Sequence, residues 1–134
     1  MNSIKKVILL FHVEQQKKNR IEAICKLQGI RLLEVDRKRY EESLGALAGI
    51  EGIPKMGKVY EGAEFPMEMM VFSGIDSEGL DAFLKAYREA GITPIGLKAV
   101  ITPHNIFWSA AQLYGELLKE HIHFGQKKTG DEGK

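Results

Sequence analysis

One cysteine, Cys25, stands among 134 residues, so no disulfide framework can hold this chain together and a reducing compartment is expected. Neither sign of charge dominates. Lysine and arginine number 19 against 18 aspartates and glutamates, a formal net charge of +1, and no global field favours nucleic acid or an anionic membrane. No apolar run approaches the ~20 residues that span a bilayer. The run Val7 to Phe11 meets His12, Glu14 and Gln15 too early for a secretory signal, so a cytoplasmic location is expected. CxxC, HExxH, GxSxG and the phosphate loop are all missing. No cofactor, no metal and no named catalytic residue are therefore expected.

What is present is an ordinary globular composition, 44% apolar and 28% charged, at a length that suits one domain with one real core. Val7 to Phe11 is an unbroken apolar run and reads as a buried strand. Glu14 to Gln28 carries Ile21, Ile24 and Cys25 on one stripe and stops at Gly29, as a helix should. Ile30 to Val35 alternates as a second strand. Asp36 then caps an expected helix from Arg37 to Ala48, although Gly45 inside it costs about 1 kcal/mol against alanine.

Residues 49–66 form the one long loop. Met67 to Phe72 is a third strand, apolar on both faces apart from Glu68. A helix capped by Asp76 or Ser77 carries Leu80, Phe83, Leu84 and Tyr87 and stops at Gly91. Ile95 to Ile101 is the fourth strand. Thr102 and Pro103 then read as the cap and first position of a last helix reaching about His121. The polar tail 125–134 is expected to be disordered.

The pattern repeats. LLF, helix, QGI, strand, Asp cap, helix returns as MVF, helix, AGI, strand, Thr cap, helix, with four more residues between the second glycine and its cap. One α/β domain over residues 1–124 follows, with βαβα halves at 4–49 and 67–123. Strands one and three, apolar on both faces, should be central. Strands two and four, with Glu34 and Lys98 on one face, should be edges. A ferredoxin-like split βαβ sheet, order 4-1-3-2, satisfies this, and so does a small doubly wound parallel sheet, order 2-1-3-4. Charge on one face of both edges favours the first, in which only one face of the sheet is fully covered by helices and the central apolar residues of the other are covered by the second and last helices or by another subunit.

Met70 to His121, with MVFSGI, LDAFLKAYREAGI, LKAVITPHNIFW and ELLKEH, resembles the bacterial domain-of-unknown-function 3783 family. Lys98, Ala99, Val100, Thr102, Pro103, Asn105 and Trp108 stand at its matching places, and His104 at its variable one. The resemblance implies a small bacterial cytosolic protein and names no substrate.

The strand-to-helix joint is the candidate site. Free N–H groups at a helix start, with Lys98 near, suit a small anionic ligand, so Lys98, Thr102, His104 and Asn105 are candidates. His12 joins them if the first and fourth strands end on the same side, which is also the arrangement an enzyme would use. The bland alternative is a turn that satisfies only its own backbone. Met67, Met69, Trp108 and Tyr114 form an adaptable apolar set, read either as core or as a homodimer interface. RNA binding is disfavoured, because the third strand lacks the stacking aromatics that mode requires. The first expectation is therefore a self-associating binding domain without catalysis.

Overall fold

The computed structural model describes residues 5–131, with side chains through Ile122. Its elements are β1 (Val7–Phe11), α1 (Gln15–Gln28), β2 (Arg31–Val35), α2 (Leu44–Leu47), β3 (Met69–Ser73), α3 (Ser77–Glu89), β4 (Leu97–Val100) and α4 (Ala110–Asp131). The α/β class and the four-stranded sheet stand as expected. The polar tail expected from Gly125 falls partly on α4 and partly outside the described residues.

The sheet runs β2-β1-β3-β4, so the doubly apolar strands are central and the alternating ones are edges. The ferredoxin-like order 4-1-3-2 is not the one formed. The order is that of the doubly wound alternative, but the sheet is not all parallel. β1 pairs parallel with β2, β3 pairs parallel with β4, and the two pairs meet antiparallel between β1 and β3.

The reason lies after β2. The helix expected over residues 37–48 would be about 18 Å long, enough to carry the chain back along a strand. Instead Arg37–Arg39 makes one 3-10 turn, the chain breaks, and Ser43 caps an α2 of only four residues. At about 1.5 Å per residue that helix cannot return the chain. β3 therefore starts at the end where β2 stopped.

Both faces are covered, the second by the second and last helices as expected. Ile8, Leu10, Met70 and Phe72 lie under Ile21 and Ile24 of α1 and Phe83 and Tyr87 of α3. On the other face Val7, Leu9, Phe11, Met69 and Val71 lie under Leu44 and Leu47 of α2, Leu113 and Tyr114 of α4, and Phe65 of the long loop.

The halves are related by an approximate twofold axis through the central register pair Leu9–Val71. Glu14 and Asp76 occupy corresponding helix N-caps, and Gly29 and Gly91 end the helices at φ 69 and 71. His12 at φ 61 answers Gly74 at φ 71, a left-handed position that a side chain adopts at some strain. The four extra residues lie between Gly91 and β4, so that Arg31 corresponds to Leu97. Beyond the edge strands the symmetry closes on itself. Ser43 and Ser109 form an antiparallel bridge. Leu44 N donates to Trp108 O and Ala110 N to Glu42 O, while Gly45 N donates to Ile106 O and Ala111 N to Tyr40 O.

Candidate functional site

The Thr102–Asn105 joint is a turn that satisfies itself. Asn105 Oδ1 accepts from Thr102 N at 2.9 Å, and its Nδ2 donates to Val100 O at 3.1 Å. Thr102 Oγ1 accepts from His104 N at 3.2 Å, just as Asp36 accepts from Lys38 N in the first half. No helix begins here. α4 starts at Ala110, with Ser109 Oγ accepting from Gln112 N at 3.0 Å. Thr-Pro imitates a cap and first helical position, but the chain must first run back to pair with Ser43 and Glu42. The seven residues after Thr102 make that detour.

The candidates do not converge. Lys98 Nζ donates to Ile95 O at 3.0 Å on the α1/α3 side of the sheet. His104 packs edge-on against Trp108, ring centroids 5.2 Å apart. His12 lies at the opposite end of the sheet, because β1 runs against β4, and its Nδ1 is 3.7 Å from Glu64. His12, Lys98 and Asn105 thus surround no common point, which removes the geometry an enzyme at this joint would use. Met69 and Tyr114 are buried within the chain's own core, and Met67 and Trp108 pack half-buried against it.

Thr102 alone of the candidates opens on a large cleft. It has a volume of about 890 Å³ and lies between β3 and β4 ends, the turn after β4, and the segment following α2. Ile50, Ile53, Ile101, Ile106 and Phe107 supply most of its apolar wall. Phe107 is 67% exposed, a large ring left in water at this site. Lys5 and Glu51 are its two charges. Gly45 sits behind it, where a Cβ would come within 2.8 Å of Ile106 and 2.9 Å of Ile53, so glycine lets α2 carry this wall. Sequence reading missed the cleft, because three of its parts lie far apart in the chain and none carries a motif. The exposed Phe107 beside Ile106 was the available signal.

The corresponding place in the first half is filled. Phe65 of the long loop lies between Tyr40 and Tyr114, stacked on each with centroids 4.0 Å apart. Tyr40 donates its hydroxyl to Glu64 at 2.5 Å, and Arg37 donates to Gly62 O at 2.6 Å. Burial and then the Glu64 carboxylate hold the Tyr40 phenol well above its ordinary range.

Residues 68–124 match the family Domain of unknown function (DUF3783). The DUF3783 match covers β3 to α4, hence two walls of the cleft, and leaves Lys5 and residues 48–53 outside it. No curated protein and no solved structure matches the chain.

Other titratable groups lie in the core. Burial, with the Glu22 charge behind it, pushes the Cys25 thiol up to about 12. Burial, with Glu68 second, takes Tyr87 to about 12, and its hydroxyl donates to Thr93 O at 2.5 Å. Both groups hold their protons more tightly folded than unfolded. Their contribution is intact below the ordinary values of 9.0 and 10.0 and is lost as pH rises from there to about 12. Urea midpoints should therefore be flat near neutrality and fall above about pH 9. A midpoint unchanged at about pH 11 would contradict this burial.

Proposed function

We propose that the chain is a binding domain for a small, largely apolar molecule held in the cleft beside Thr102. The observation that carries this is the 890 Å³ opening walled by isoleucines and an exposed phenylalanine. Ligand pockets run from roughly 300 to 1,000 Å³, are mostly apolar, and hold few polar groups. An anionic ligand anchored by Lys98 is not favoured, since that ammonium is tied to Ile95 O on the other side of the sheet. Homodimer formation would need a surface other than Met67, Met69, Trp108 and Tyr114, which serve the chain's own core.

Amide-resolved NMR with octanol as the probe tests the reading. Saturable shifts should concentrate at Gly74, Ile101, Thr102 and Ile106. Shifts scattered over the surface, or none at millimolar probe, would remove it.

A further inference from the structure

The twofold axis supplies an internal template for the ligand. Five side chains hold the loop segment 60–67 in the first half or lie beside it. Tyr40 and Tyr114 stack on Phe65, Phe11 lies 6.3 Å from it, His12 faces Glu64, and Arg37 donates to Gly62 O. Their counterparts across the axis are Ile106, Ala48, Ser73, Gly74 and Pro103, and all five line the open cleft. Among the described residues the two clefts are therefore the same site built twice, one closed by the long loop and one open.

The exchanges between them say what the open site takes. Tyr40, Tyr114 and Arg37 give the segment polar contacts: Tyr40 donates to Glu64, Tyr114 is bonded to Met67 N at 3.1 Å, and Arg37 grips Gly62 O. Ile106, Ala48 and Pro103 have no side-chain donor or acceptor, so those three grips on a peptide are lost, and Ser73 and Thr102 are the neutral polar side chains left in the wall. Across the axis the Tyr40, Tyr114 and Phe11 rings give way to Ile106, Ala48 and Ser73, and the Phe65 ring has no counterpart among the described residues, so the open cleft is bounded mainly by aliphatic side chains, with Phe107 its one aromatic ring. Two exchanges go the other way, and the first, Ser73 in place of Phe11, brings a hydroxyl. Met67, beside the closed cleft, corresponds to Lys5, which brings a cation to the open one.

We propose that the open cleft binds an amphiphilic monocarboxylate, its hydrocarbon body among Ile53, Ile101 and Ile106 and its carboxylate at Lys5. This rests on the binding-domain reading above. A single negative charge suits one lysine in a wall that also carries Glu51, and a flexible aliphatic body suits a wall made mainly of isoleucines with Phe107 as its one aromatic ring.

The test uses octanoate, octanol, acetate and acetyl-Glu-Phe-amide on the full chain and on Lys5→Met, which places at this exposed position the residue of the other half. Octanoate should shift the cleft amides more strongly than octanol or the peptide, and acetate should leave them unmoved. Lys5→Met should weaken octanoate about threefold, the size of an exposed ion pair, and leave octanol unchanged. Equal binding of octanoate and octanol, with Lys5→Met moving neither, overturns the carboxylate and leaves the apolar cleft standing. Tighter binding of the peptide overturns the ligand class. Failure of both octanoate and octanol to move the cleft amides overturns this inference and the binding-domain reading together.

Discussion

Replacing Phe65 with alanine is expected to lower stability by about 3–5 kcal/mol, the cost of deleting a buried aromatic side chain from a core that cannot collapse. Phe65 is 3% exposed, although it lies in the long loop and has no strand or helix around it. Its ring stacks on Tyr40 and Tyr114 at 4.0 Å each, joining the turn after β2 to α4. Aromatic pairs of this kind add about 0.5–1.5 kcal/mol beyond the area they bury. Removing the ring also frees Tyr60 and Glu64, which hold the loop to Lys38 O and Tyr40. Chemical denaturation gives the stability, and limited proteolysis should show new cuts within residues 50–66. A loss below about 1 kcal/mol, typical of a surface loop residue, would mean that this segment does not close the first-half cleft.

Glu68→Ala is expected to cost about 3 kcal/mol, because it strands a buried ammonium. Lys17 on α1 is 9% exposed at its side chain, and its Nζ lies 2.5 Å from Glu68 Oε1. The other carboxylate oxygen accepts from Glu14 N at 3.1 Å and so satisfies a backbone donor at the start of α1. Glu68 itself is 23% exposed, which lets water recover part of the loss. The double variant with Lys17→Met should therefore be clearly more stable than Glu68→Ala alone, since no charge is then left without a partner. If Glu68→Ala costs the same with lysine or methionine at position 17, the two residues are not coupled.

Much of the fold was legible in the chain. The stops at Gly29 and Gly91 and the cap at Asp76 follow from local chemistry, and each element they bound lies where the sequence places it to within a residue or two. The centrality of β1 and β3 followed from their apolar residues on both faces, and the duplication from the recurring order of strand, helix, glycine and cap. The site was much less legible. Thr102 lies in the cleft, but Lys98, His104, Asn105 and His12 do not line it. Their chemistry suited a ligand, yet each is occupied by a neighbour close in sequence or directed to another part of the sheet.

What the sequence by itself determined is the succession of elements, the central and edge strands, and the twofold repeat, because each is written in residues close together in the chain. Only the tertiary structure decided the direction of β3 against β1. A strand apolar on both faces reads the same in either direction, and the deciding fact was a helix cut short at Ser43 by pairing with Ser109, 66 residues away. That choice put the ends of β1 and β4 on opposite sides and separated His12 from the joint. It also made two equivalent clefts, and the long loop filled one with Phe65 while, among the described residues, Ile106, Ala48 and Gly74 left the other open.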